Sequence, residues 1–123
     1  MSEFASPIDP KVVERLLDMT DGDTDFLIEL FTSYMENTRE NIEQLRAAIA
    51  QQDATSMAHV AHTVKGASGN VGAAHVAEVS GELEFLGKSN STEGADRLLG
   101  ELQTRFHAAE AAMKHFHLVH NSL

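Results

Sequence analysis

Cysteine is absent from the 123-residue sequence, and proline is scarce. Without cysteine the protein has no disulfide, no thiolate metal site and no cysteine nucleophile. Pro7 and Pro10 are the only prolines, so no helix-breaking residue follows position 10. No apolar run reaches the roughly 18 residues of a membrane span, and the N-terminus lacks the basic start and apolar core of a signal peptide. We therefore expect a cytoplasmic protein.

Basic residues are also few. Nine Lys and Arg residues stand against 19 Asp and Glu residues, which gives a formal net charge of −10. Such a chain repels nucleic acid and anionic membranes, so a protein partner or a small ligand is expected. The length and the 42% hydrophobic content suit one domain with one core. We expect this domain to be a monomer.

Apolar residues recur at steps of three and four, which indicates an all-α protein. Five helices are predicted. The first runs from Asp9 to Met19 and buries Val12, Val13, Leu16 and Leu17, the second covers about 25–51, and the third runs from Asp53 into 66–72. The fourth carries Val76, Val79, Leu83 and Leu86, and the fifth carries Leu99, Leu102, Phe106, Ala109, Met113 and Phe116. Residues 87–94 are predicted to be a loop. Short connections favour antiparallel neighbours, so the second to fifth helices should form an antiparallel up-down four-helix bundle, capped by the short first helix. This domain is predicted to cover 8–118, with tails at 1–7 and 119–123.

His62 stands out on the third helix. At about 100° per residue it points away from a buried stripe formed by Met57, Val60, Val64, Ala67 and Val71. Each interior glycine costs a helix about 1 kcal/mol relative to alanine. Gly66, one turn after His62, leaves the imidazole open to another protein surface. Lys65 shares the exposed side, where an ammonium group would stabilise a phosphoryl group on a nucleophilic imidazole.

Residues 61–72, Ala-His-Thr-Val-Lys-Gly-Ala-Ser-Gly-Asn-Val-Gly, closely resemble the signature of histidine-containing phosphotransfer (HPt) domains. Leu83-Glu84 resembles the Leu-Glu or Ile-Gln pair on the following helix of that family. Asp25-Phe26-Leu27 through Leu30-Phe31 resembles the opening of the family's second helix. The resemblance covers about residues 8 to 116.

This resemblance implies a phosphorelay intermediate, a phosphoryl carrier rather than an enzyme. His62 would accept a phosphoryl group on Nε2 from a receiver-domain phospho-aspartate and pass it to another response regulator. Lys65 would support the phosphoryl group, and Glu84 would hold the imidazole Nδ1–H. Gly66 would leave the histidine accessible, while Ser68 and Gly72 match small positions where the third and fourth helices pack and turn.

The expected partners are response-regulator receivers and hybrid sensor histidine kinases. They would dock on the exposed faces of the third and fourth helices, with contacts from Ala58, His59, Lys65, Gly69, Ala73, Ser80 and Glu84. Mg²⁺ is expected on the receiver, and no cofactor is expected on this chain. No glycine-rich nucleotide-binding loop is present, so autophosphorylation from ATP is not expected.

Two other functions are compatible with the sequence. A metal-binding helical bundle would use the seven histidines and many carboxylates. However, the sequence has no Glu-x-x-His pair of the kind that di-metal bundles use, and His115, His117 and His120 fit a solvated tail better. A scaffold domain would bind a receiver or an enzyme without accepting phosphate. Phosphate acceptance that depends on His62 would distinguish the phosphorelay intermediate from the scaffold.

Overall fold

The computed structural model describes residues 6–121, which form five α-helices and no strand. The helices are α1 (Pro10–Met19), α2 (Thr24–Ala50), α3 (Ala54–Val71), α4 (Ala74–Lys88) and α5 (Ala95–Asn121). The all-α prediction is confirmed. Residues 1–5 and 122–123, which were assigned to the predicted tails, lie outside the described residues. Between residues 6 and 121, no helix has the length and apolar character needed to span a membrane.

Three of the helices are preceded by an aspartate whose side chain caps the first turn. The Asp9 carboxylate accepts a hydrogen bond from the Lys11 backbone N–H at 2.9 Å, and Asp23 accepts one from Phe26 N–H at the same distance. Asp53 accepts from both the backbone N–H and the hydroxyl of Ser56. These bonds satisfy backbone donors that a helix leaves free at its N-terminus, so local sequence fixes the starts of α1, α2 and α3.

The four longer helices pack in a ring. α2 and α4 each contact both α3 and α5, whereas within residues 6–121 no Cα atom of α2 lies within 8 Å of one in α4, and none of α3 within 8 Å of one in α5. α1 lies against α2 and α3. The largest fully buried apolar side chains come from all four longer helices: Leu27, Leu45, Met57, Val64, Val71, Val76, Val79, Leu83, Leu102 and Met113. The ring therefore encloses one core, in which α3 has neighbours on two sides.

The apolar residues of α1 are less buried than predicted. Val12, Val13, Leu16 and Leu17 are only partly buried, and α1 contributes no fully buried residue. The reason is position, because this ten-residue helix covers the outside of α2 and α3 instead of entering the core. Its start is tied down by a 2.8 Å hydrogen bond from the Asp9 N–H to the Gly72 carbonyl at the end of α3.

The predicted loop at 87–94 begins two residues too early. Gly87 and Lys88 belong to α4, and Gly87 is buried. A Cβ atom at position 87 would lie 2.6 Å from the Ala54 carbonyl oxygen and 2.8 Å from the Ala58 Cβ. This glycine therefore permits the end of α4 to approach the backbone of α3, rather than marking a turn. The turn itself follows, with Asn90 and Gly94 at positive φ.

This contact predicts opposite effects for two helical glycines. Gly87→Ala should lower the free energy of unfolding by about 1–3 kcal/mol, because the added methyl group meets backbone atoms. Gly100→Ala, at an exposed site on α5 with no atom near the added Cβ, should raise it by up to about 1 kcal/mol. Urea denaturation of both variants measures the difference. An unchanged midpoint for Gly87→Ala would show that α4 is not held against α3 at this position.

Candidate functional site

His62 lies on the outer surface of α3, and 66% of its side chain is exposed. Its Nδ1 atom is 2.9 Å from Oε2 of Glu84 on α4. The other ring nitrogen, Nε2, has no partner within residues 6–121. One side of the imidazole is thus fixed by the fold, and the other is open to a reagent from outside.

Glu84 is the buried centre of this site, because only 5% of its side chain is exposed. Its carboxylate is paired with three groups. Lys65 Nζ is 2.7 Å from Oε1, while Lys88 Nζ at 3.0 Å and His62 Nδ1 share Oε2. The hydrogen bond from Lys65, followed by that from Lys88, lowers the pKa of Glu84 to about 2, against the raising effect of burial. The side chain is therefore ionised at neutral pH.

The ionised carboxylate determines which nitrogen of His62 carries a proton. A carboxylate can only accept hydrogen bonds, so Nδ1 is the donor in the contact with Glu84. In a neutral imidazole the lone pair is then on Nε2, which faces away from the protein. The same carboxylate stabilises positive charge on the ring. The arrangement suits a nucleophile that attacks through Nε2.

Two glycines on α3, Gly66 and Gly69, leave the surface beside His62 without protruding side chains. A Cβ atom at Gly66 or Gly69 would have no neighbour within 4 Å, so nothing inside the protein requires glycine at either position. The Lys65 side chain lies across α4, where its Cδ is 3.5 Å from a Cβ built at Gly81. The missing side chains leave open space on the outer face of α3, next to the imidazole.

The two other small residues of the sequence motif act on the fold. The Ser68 and Tyr34 hydroxyls form a buried 2.7 Å hydrogen bond, so the Ser68 side chain joins α3 to α2. Burial raises the pKa of Tyr34, although the bond to Ser68 opposes this. Gly72 ends α3 in the left-handed conformation, with φ of 86°, and a Cβ there would approach Val12 Cβ to 3.0 Å. Gly72 therefore turns the chain at the end of α3, and its lack of a side chain leaves room for α1.

The predicted partner contacts divide into two groups. His59 and Gly69 are exposed on α3, as expected, and 43% of the Lys65 side chain is exposed. Ala58, Ala73 and Ser80 were predicted on the exposed faces but are buried, with at most 8% of each residue accessible. Because α4 covers one side of α3, the exposed strip is narrower than a single-helix projection indicates. These three side chains, and the buried Glu84, do not present a docking surface.

Lys88 was missed because its position was predicted to be in a loop. It lies one turn after Glu84 on the same helix, and this i, i+4 spacing is typical of Glu–Lys pairs. Recognising that α4 continues past Gly87 would have identified it. Of the other candidate ligands, His115, His117 and His120 are exposed near the end of α5. Between residues 6 and 121, no three His, Asp or Glu side chains converge as a metal site requires.

A family model and a curated relative both match this chain. The family model described as "Hpt domain" matches residues 29–112. The phosphorelay intermediate protein rdeA of Dictyostelium discoideum is 28% identical over 105 residues, which are 84% of this chain but 41% of the relative. The chain thus spans about two fifths of that curated protein's length.

Two solved structures are similar to this fold. Histidine-containing phosphotransfer protein B (HptB) from Pseudomonas aeruginosa superposes with a TM-score of 0.84 and 26% identity, over 90% of this chain and 94% of HptB. The HPT domain of a sensor hybrid histidine kinase from Shewanella has a TM-score of 0.69 and 21% identity, covering 85% and 90% of the two chains. The second similarity concerns the fold alone.

The pairing of Glu84 predicts a pH dependence. The pKa is depressed in the folded state, so the carboxylate contributes stability above its unfolded pKa, and that contribution is lost as pH falls toward 2. The difference in unfolding free energy between the wild type and Glu84→Gln should therefore shrink from about pH 5 to about pH 2. Chemical denaturation at a series of pH values measures this difference.

Two further variants test the assignment. Glu82→Gln changes an exposed carboxylate on the same helix and should not reproduce the effect. Lys88→Ala removes one of the two cations that hold the Glu84 pKa down, so it should move the transition to higher pH. A constant difference between wild type and Glu84→Gln throughout this range would contradict the pairing.

Proposed function

Because the chain belongs to the Hpt domain family, we propose that it is a phosphorelay intermediate. In this proposal His62 accepts a phosphoryl group from the phospho-aspartate of one receiver domain and passes it to the aspartate of another response regulator. The observation that carries the proposal is an exposed imidazole whose Nδ1 is held by a buried, ionised carboxylate. A histidine that was merely solvated would not require such a partner.

The transfer begins with attack of the Nε2 lone pair on phosphorus. The N–P bond forms as the P–O bond to the receiver's aspartate breaks, and the aspartate leaves as a carboxylate. The ring keeps the proton on Nδ1 and becomes a phosphoimidazolium, whose positive charge lies 2.9 Å from the Glu84 carboxylate. Transfer to the next receiver reverses these changes. Glu84 acts as a positioning residue, because it touches the ring and not the phosphoryl group.

Lys65 and Lys88 have different parts in this scheme. Lys65 lies three residues after His62, and 43% of its side chain is exposed, so its ammonium group is able to turn toward the phosphoryl oxygens. That movement would leave the buried carboxylate with one cation fewer. Lys88 remains beside Oε2, so Glu84 keeps an ion pair while Lys65 binds the phosphoryl group.

The rest of the catalytic apparatus belongs to the partner. We propose that Mg²⁺ and the carboxylates binding it are supplied by the receiver, since in-line phosphoryl transfer needs charge neutralisation on the equatorial oxygens. The chain would carry the phosphoryl group without taking it from ATP. Its partners would be response-regulator receivers or a hybrid sensor histidine kinase. The proposal also places the protein in the cytoplasm as a monomer.

The ring of helix contacts supports a finer description of the fold. We infer that α2 to α5 form an antiparallel up-down four-helix bundle, with α1 as a cap. Short connections between successive helices favour this topology, as do contacts limited to neighbours in the ring. We propose residues 8–118 as the functional domain.

The decisive experiment compares two exposed histidines on α3. Wild type, His62→Gln and His59→Gln are each incubated with a panel of phosphorylated receivers and Mg²⁺. Wild type and His59→Gln should acquire acid-labile, base-stable phosphate, whereas His62→Gln should acquire none. His59 is the matched control, because it is exposed one turn earlier on the same helix.

Each other result has a definite meaning. Label on His62→Gln identifies a different acceptor residue. Receivers that bind the wild type without labelling it favour the scaffold function. Label from ATP alone, without a receiver, would overturn the carrier role proposed here.

The open face beside His62 gives a second test. Gly66→Ala should raise the free energy of unfolding by up to about 1 kcal/mol, because the methyl group enters empty space on a helix. It should also slow transfer on the order of tenfold, since the methyl group would protrude one turn beyond His62 on the face that a receiver must approach, and small displacements of reacting atoms cost much rate. Gly100→Ala should give the stability gain without slower transfer. Equal transfer rates for both variants would remove the access role of Gly66.

A further inference from the structure

Phe85 is a large apolar side chain that the fold leaves uncovered. It follows Glu84 on α4, and 74% of it is exposed. Of the other described phenylalanines, Phe26 is 43% exposed, while Phe31, Phe106 and Phe116 lie in the core or pack against it. Phe85 also lines a small hollow with Lys65, Glu84 and Lys88, so it adjoins the charged group that holds His62. An aromatic ring exposed next to a reactive residue is typical of a protein contact surface.

On its other side, Phe85 lines an open groove of about 510 Å³ between α4 and the start of α5. Gly81, Leu86 and Leu98 contribute small or apolar surface to this groove. We call it the α4–α5 groove; its remaining lining residues are Glu78, Glu82, Glu93, Gly94 and Arg97. Its apolar part is therefore continuous with the exposed face of Phe85.

The charges on the two sides of Phe85 have opposite signs. Lys65 and Lys88 lie on the His62 side. Three glutamates and one arginine line the α4–α5 groove, and that arginine is engaged with Glu101 at 2.6 Å. Glu78 is paired with Arg105, but in the part of the chain that the structure describes neither Glu82 nor Glu93 forms an ion pair. The groove thus offers two unpaired carboxylates beside an apolar ring.

We propose that the α4–α5 groove is a docking site for a receiver domain. The occupant is a receiver surface that places an apolar side chain on Phe85 and at least one Lys or Arg against Glu82 and Glu93. Lys65 and Lys88 would face the acidic, phosphorylated centre of the same receiver. Opposite charges on either side of one apolar contact set the orientation of the partner, because a reversed orientation brings like charges together. This inference rests on the proposed phosphorelay function.

A second copy of this chain fits the groove poorly. A two-fold interface centred on the groove itself would place its acidic residues, among them Glu82 and Glu93, near those of the other copy. The chain as a whole has a formal net charge of −10, which adds to this repulsion. A basic partner surface satisfies the same carboxylates.

The test separates loading of His62 from docking. Wild type and variants are phosphorylated with phosphoramidate, which needs no receiver, and are then discharged to increasing concentrations of the receiver from the panel that reacts fastest with wild type. Phe85→Ala should load normally and lower the second-order transfer rate about tenfold, with little change in the rate at saturating receiver. Glu82→Lys should lower the second-order transfer rate by about as much at low salt, and its difference from wild type should shrink as salt rises.

Matched controls use sites away from the groove. Leu118→Ala changes a side chain that is 70% exposed at the other end of the fold, and Glu40→Lys reverses an exposed charge on α2; both should discharge at the wild-type rate. If Phe85→Ala and Glu82→Lys also match wild type, the docking inference is overturned while the phosphorelay function stands. Concentration-dependent dimers that Phe85→Ala abolishes would overturn it in favour of self-association. Failure of wild type to load or to discharge would instead count against the proposed function.

Discussion

The site depends on one buried carboxylate. Glu84 is almost completely shielded from water, and an ionised group in that position is tolerated only when it is paired and hydrogen-bonded. Its three partners come from two helices, because His62 and Lys65 lie on α3 whereas Lys88 lies on α4. The requirement to neutralise this charge fixes the orientation of the imidazole and gathers two ammonium groups beside it.

The carboxylate reaches its partners because α3 and α4 approach each other closely. Gly87 lets the end of α4 contact the backbone at Ala54 and Ala58, and the Lys65 stem passes over Gly81. A larger residue at Gly87 would separate the helices and lengthen the contacts to Glu84. On α3, by contrast, Gly66 and Gly69 have open space outside, so glycine serves two purposes in neighbouring helices. Inside the fold it permits contact between helices, and on the surface it leaves room for another molecule.

Local patterns predicted the helices well, and contacts between helices account for most errors. The starts of the first and third helices at Asp9 and Asp53 follow from residues near in sequence, so they were predicted without a structure. The burial of Ala58 and Ser80 depends on which helices flank α3 and α4, and a single-helix projection carries no such information. Gly87 was misread for the same reason. His62, Lys65 and Glu84 were grouped through resemblance to a family, while Lys88 required knowing where α4 ends.

The hydrogen bond between Tyr34 and Ser68 couples the fluorescence of Tyr34 to the position of α3. The chain has one tyrosine and no tryptophan, so its intrinsic ultraviolet fluorescence comes mainly from a single buried phenol. That phenol is bonded to α3 less than two turns beyond His62. A shift of α3 against α2 when His62 is modified or a partner binds would alter the emission of Tyr34. The native protein therefore offers a spectroscopic signal for events on its outer surface without an added label.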